Sequence, residues 1–275
     1  MQNYTLHTHT VGFDGKNTVL EMVRRAQQLN LKTIRISNHF IVHQNIKKSR
    51  AYKYAVRGGY SNMYADTFKE AQERFFNNYS VIECARQVCP DINVLYGMEV
   101  DFWDDARWRK NFQKAVKVLK PDYIIGAKHF VEYGGRVLNM HDLKNAGADT
   151  QELLLNKYWA GVARAAESGL FDWMAHLDLP KKVGLGREQK WAEHENRAVE
   201  SAAKSNTAIE INTSFYKQDC YEPYPSNRIL NMVAENNIPV IISDDAHNTE
   251  SIARHFDEAE ELIKNMKLRS FTKIK

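Results

Sequence analysis

The chain has few cysteines, no long apolar run and none of the common nucleotide- or serine-hydrolase signatures. Cys84, Cys89 and Cys220 are odd in number and make no CxxC pair. That disfavours a disulfide framework and fits reduced thiols in a cytoplasmic protein. No window approaches the roughly 18 consecutive apolar residues of a membrane span, and MQNYTLHTHT has neither the basic nor the apolar part of a secretion leader. GxGxxG, Walker and GxSxG motifs are all missing, so dinucleotide, P-loop and serine-hydrolase chemistry lack support. Charge of one sign is also scarce: the net value of +4 over 275 residues is no nucleic-acid footprint, though it suits a small anionic substrate.

What is present is a globular composition, 43% apolar and 26% charged, with a repeated alternation of short apolar runs and helical-period segments. The runs at residues 4–6, 33–36, 93–96, 123–125, 171–175, 208–211 and 240–242 read as strands covered on both faces. Between them, TVLEMVRRAQQLN opens with Thr18 and Glu21 as a capping box. ARWRKNFQKAVKVLK, TQELLLNKYWAGVARAAES, EQKWAEHENRAVESAAKS, SNRILNMVAENN and SIARHFDEAEELIK also read as helices. Seven successive βα units with right-handed crossovers predict a closed or nearly closed α/β barrel, with an open doubly wound sheet as the alternative, and no linker divides residues 1–275, so one domain is expected. Residues 40–63, FIVHQNIKKSRAYKYAVRGGYSNM, break the rhythm as a long basic connection, read either as a solvated loop or as a lid over an anionic substrate.

Of ten histidines, six fall within five residues of a predicted strand's C-terminal end: His7, His9, His39, His129, His176 and His247. Glu99 and Asp245 fall there too. A barrel brings all its strand C-termini to one face, so these residues converge. Imidazoles and carboxylates crowded together would repel and be poorly solvated, and divalent cations relieve both problems. In an extended segment His7 and His9 point the same way, as a chelating pair would. Asp14, in GFDG, reads equally as turn chemistry. His43 is a candidate for the lid, whereas His141, His194 and His255 read as surface or packing residues.

The ordered motifs LHTHT…FDG, SNHF, GMEVDF, AKHF, AHLDLP and SDDAH resemble those of the polymerase and histidinol phosphatase (PHP) family over nearly the whole chain. The resemblance implies a distorted (β/α)7 barrel with three divalent ions (Zn, Mn or Fe) at the strand C-termini. His7, His9 and Asp245 would hold one ion, and Glu99 would bridge it to a second held by His129 and His176. Asp14, His39 and His247 would hold the third. Glu99, Asp245 and His247 would then act in catalysis through hydroxide on the ions.

Within the family, EINTSFYK followed by YPSNRIL is similar to the histidinol-phosphatases. Where those commonly carry phosphate-holding arginines, this chain has Lys182 (or Lys181) and Lys217 as the substrate-binding candidates. The expected function is hydrolysis of a small phosphate monoester, first of all L-histidinol phosphate, without membrane or nucleic-acid partners. The alternatives are a PHP-type phosphodiesterase or exonuclease and a non-catalytic metal-stabilised module. Asp244 is left open between a proton donor and a structural carboxylate.

Overall fold

The structure is a computed structural model that describes residues 2–216 and 221–272. Seven parallel strands form its centre: Tyr4–Thr8, Thr33–Ile36, Asn93–Asp101, Tyr123–Ala127, Trp173–Met174, Ala208–Asn212 and Pro239–Ser243. They pair in chain order, first with second through sixth with seventh. Beyond the seventh strand, Thr8 and Ala246 make a parallel bridge, with His9 N–H donating to Ala246 O at 2.8 Å. The sheet therefore curls back on itself at its C-terminal rim. At the opposite end, Arg269–Ser270 runs parallel to Pro239–Val240. This is the distorted, helix-covered barrel that the alternation predicts.

All seven predicted runs are strands, with one consequential difference in length. The third continues to Asp101 because two neighbours serve it in succession. Thr33–Ile36 pairs with its first half, and His39–Val42 pairs with its second, setting His39 beside Glu99. The 40–63 segment is thus not a loop. It contains the rest of that strand, the helix Arg50–Gly58 and short 3-10 turns at Ile46–Lys48 and Ser61–Met63.

The capping box is present at Thr18 and Glu21, and Val19–Gln28 buries Val19, Met22, Val23 and Ala26 against the sheet. The other expected helices form at Ala106–Leu119, Ala148–Glu167, Ala192–Ser205, Asn227–Glu235 and Phe256–Asn265. The last starts later than its sequence pattern predicts: a 3-10 turn occupies Thr249–Ser251, and His255, at a left-handed φ of 57°, precedes the first helical residue. Sequence reading missed Phe68–Val88. Its buried positions Ala71, Phe75, Asn78, Ile82 and Ala85 keep helical spacing, but exposed Phe76, Tyr79, Val81 and Val88 blur the stripe.

Leu6, Leu95, Tyr123, Ile125, Trp173, Ala208 and Ile241, from six of the seven strands, pack together apart from the larger core under the helices. Residues from opposite sides of the curl can meet only in its lumen. The second strand adds Arg35, fully buried over Trp173 at 4.5 Å, where Gly97 leaves room for its guanidinium. Burial pushes Arg35 down to about 9.

Candidate metal centre

Above that lumen, the nine side chains read from sequence as a site meet in one mouth. His7 and His9 leave the end of the first strand fully buried, with ring centroids 5.1 Å apart. His7 Nε2 lies 3.3 Å from Glu99 Oε2 and 3.5 Å from Asp245 Oδ1. His9 turns Nε2 to Asp245 Oδ1 at 3.1 Å and Nδ1 to Asp14 Oδ1 at 3.6 Å, so it stands between two groups. Asp14 Oδ2 is 3.1 Å from both His39 Nε2 and His247 Nε2, which makes the GFDG aspartate part of the mouth as well as of a turn. That turn needs Gly15, whose absent Cβ would sit 2.4 Å from His9 O. Glu99 is central. Its Oε1 faces His176 Nε2 at 2.9 Å and His129 Nε2 at 3.3 Å, and its Oε2 faces His39 Nδ1 at 2.8 Å.

Three groups of ligand atoms lie close enough to share an ion: His9, Asp14, His39 and His247; His7, His9 and Asp245; and His39, Glu99 and His129, each within 4.8 Å. The first two contain the expected sets. In the third, His39 takes the place expected for His176, although His176 also reaches Glu99.

The donor set fits cations. His7 Nε2, both nitrogens of His9, Asp14 Oδ1, His39 Nδ1 and Glu99 Oε2 are buried with no aligned hydrogen-bond partner. Each such group costs about 1–3 kcal/mol when left unsatisfied. These orphans point at one another, the arrangement expected of ligands and not of a hydrogen-bonded core. Two members also sit in left-handed backbone, His176 at φ 24° and Asp245 at φ 48°, a strain that collects at functional sites.

Charge coupling follows the geometry. Burial alone would discharge His7, but Glu210, Asp245 and Glu99 hold it well above the ordinary imidazole range. His39 and His247 are raised against the same burial, first by Asp14, and His129 by Glu99. His9 is driven down to about 4 by burial and by the neighbouring imidazoles of His247 and His39. Burial opposes the charge on Glu99, Asp14 and Asp245 too, yet the imidazoles keep all three well below normal.

Sequence reasoning missed the residues that aim the ligands. Glu210, fully buried on the sixth strand, accepts from His7 Nδ1 at 2.6 Å, Ser243 Oγ at 2.5 Å and the His176 backbone N–H at 3.1 Å. It thereby leaves His7 Nε2 free to face the mouth. Asp101 accepts from the His129 backbone N–H at 2.6 Å. Both are charged residues inside apolar strands, the one signal that could have exposed them.

Asp244 is structural: it accepts from Thr5 Oγ1 at 2.8 Å and from Ala253 N–H at 2.7 Å, and burial raises it to about 6. Of the two lysines weighed after the fifth strand, Lys181 is buried and donates to Pro223 O at 2.6 Å, while Lys182 lines the mouth. Lys217 lies outside the described residues. Arg254, not singled out by sequence, lines a cavity with Lys182, Ser214, Asp245 and His247. His43 does not line the mouth; its ring lies tilted against Trp103, with centroids 4.2 Å apart. His141 is exposed, as its surface reading expects, and also lines the mouth. His194 and His255 lie against Trp191 and Glu258. No helix among the described residues is long and apolar enough to cross a membrane.

Comparison with known proteins shows what the chain is similar to. The PHP domain family model matches residues 3–214. A relative from Deinococcus radiodurans named "Probable histidinol-phosphatase" is 30% identical over 186 residues, covering 66% of this chain and 68% of its own. The hisK structure from Listeria monocytogenes superposes with a TM-score of 0.71 at 21% identity, over 93% of this chain and 99% of its own. Histidinol phosphate phosphatase from Lactococcus lactis, solved with Zn, L-histidinol and phosphate, gives a TM-score of 0.68 at 14% identity, over 98% and 95%.

Proposed function

The chain belongs to the PHP domain family, and on that premise we propose that it is a metal-dependent phosphomonoesterase whose first candidate substrate is L-histidinol phosphate. The observation that carries this is the convergence of orphaned imidazole nitrogens and carboxylate oxygens on one mouth. In the proposal His7, His9 and Asp245 hold one divalent ion, Glu99 with His129 and His176 a second, and Asp14, His39 and His247 a third. Zn, Mn and Fe all suit such donors. When bound, the ions supply a low-pKa water and neutralise charge on the phosphoryl group.

The protein's own groups then set the geometry. Glu99 turns one oxygen to His129 and His176 and the other to His7 and His39, so its carboxylate would be shared between neighbouring ligand sets. Asp245 and His247 line the mouth where the phosphoryl group must sit. Lys182 and Arg254 share the adjoining wall and offer cationic N–H donors to its oxygens. The guanidinium of Arg254 provides a planar fork that lysine lacks. Glu210 holds His7 in the tautomer that leaves Nε2 free.

The relatives' printed names support histidinol phosphate as the ester to test first. The experiment is turnover of L-histidinol phosphate, p-nitrophenyl phosphate and bis(p-nitrophenyl) phosphate by metal-loaded protein. The monoesters should be hydrolysed much faster than the diester. Faster diester cleavage would move the chain to the phosphodiesterase reading, and no turnover of any ester by folded, loaded protein would refute the enzyme.

A further inference from the structure

Beside the mouth lies a second cavity of about 800 Å³, larger than the mouth's own space of about 240 Å³. The two share Tyr60, Tyr64, Asn139, His141 and Lys182 among their lining residues, so the chamber lies directly against the mouth. Its outer wall is the helix Arg50–Gly58, which buries Ala51 and Ala55 on one face. Arg50, Lys53, Tyr54 and Arg57 recur at the i, i+3, i+4, i+7 spacing of one helical face, and all four line the chamber. A basic helix face is ordinarily just solvated surface. This one borders a cavity that adjoins the mouth.

The charge balance there is one-sided. Among the described residues Asp142 is the only carboxylate lining the chamber, and Arg50 pairs with it at 3.5 Å. Among the described residues, Lys53, Arg57 and Lys182 make no ion pair. Three unpaired cations around one cavity repel each other, and nothing in the fold requires them to be basic. Tyr54, 70% exposed, adds an uncovered aromatic face at the rim. The mouth itself takes the scissile phosphate with Lys182, so Lys53 and Arg57 are left for a different group.

We propose that the chamber is a second anion-binding site, which extends the enzyme's range to phosphate esters whose alcohol part carries a further phosphate or carboxylate. The idea rests on the phosphomonoesterase reading for its reaction but not for its binding. Lys53 and Arg57 supply charge-assisted hydrogen bonds to the second anion, Lys182 stands between the two anions, and Tyr54 covers the connecting carbons. A cationic alcohol part gains nothing from this chamber.

The test separates binding from turnover. Phosphonates keep the phosphoryl charge but cannot be hydrolysed, so calorimetric titration of metal-loaded protein with a short series of ω-phosphonocarboxylates and matching alkylphosphonates reads the chamber alone. The carboxylate members should bind at least about tenfold tighter at the chain length that spans to the chamber, and added salt should erode the gain. The double variant Lys53→Gln/Arg57→Gln should bring them to the level of the alkylphosphonates. Equal binding of both series at every length, or a preference unchanged in the double variant, would overturn the proposal. Turnover of 3-phosphoglycerate against glycerol 3-phosphate then checks the reading beneath it. Preferential phosphonate binding with no ester hydrolysed would sink the phosphatase and leave the chamber standing, whereas ester turnover without any binding preference would do the reverse.

Discussion

The mouth and the basic wall beside it are both polar, yet they are built in opposite ways. The mouth gathers imidazoles and carboxylates from the ends of six strands, most of them buried, with their free atoms aimed at each other. The wall presents flexible cations from one short helix to open space. Rigid, desolvated groups suit tight ions, because nothing must reorganise when they bind. Exposed lysines and arginines suit groups that differ from one ligand to the next, and removing one costs the fold little. The difference teaches that chemistry and selectivity are housed in separate layers of this barrel.

Substitutions can break that contrast. Glu99→Gln, which removes the charge at the centre of the mouth, should lower turnover of p-nitrophenyl phosphate at least ~100-fold. A variant within tenfold of the parent would refute Glu99 as the bridging group. One step out, Glu210→Gln replaces an acceptor for His7 Nδ1 and should weaken metal affinity roughly 10–100-fold, measured by competition with a chromophoric chelator. Unchanged affinity would mean that Glu210 serves packing alone.

Proton linkage sharpens the comparison further. His7, His39, His129 and His247 are raised because carboxylates outweigh the burial that opposes their charge, His7 and His39 well above the ordinary range, so metal-free protein holds protons in the mouth more tightly than free imidazole does. Ions require neutral imidazoles, so binding must release those protons, and affinity must rise with pH until the raised pKa values are passed. Calorimetry in two buffers of different ionisation heat should show release at pH 7, and its absence would contradict these shifts. The smallest effect belongs to the wall: Arg57→Gln should leave stability in urea within about 0.5 kcal/mol, as an exposed surface change does.

Much of this was legible because strand ends are legible. Seven apolar runs fixed where the C-termini lie, and the histidines that follow them had nowhere else to converge. Asp14 could not be settled that way, since Asp-Gly serves a turn equally well and only the fold shows His39 and His247 on its carboxylate. The chamber was less visible still. Residues 40–63 look like a loop because Gly58 and Gly59 and a run of cations mask a two-turn helix whose buried face is only Ala51 and Ala55. The hairpin at Phe130–Tyr133 and Arg136–Asn139 was also missed, although Gly134 and Gly135, both at positive φ, are its turn signal. Arg254 escaped because it follows a 3-10 turn instead of a strand, outside the pattern that marked the others.

The account stands on the mouth holding ions, and anomalous diffraction from crystals of zinc-loaded protein tests that most directly. Peaks should appear between His7, His9 and Asp245, beside Glu99 with His129, and among Asp14, His39 and His247, at about 2.0–2.2 Å from the ligating atoms. A mouth without anomalous density, or zinc bound only at surface sites elsewhere, would contradict it.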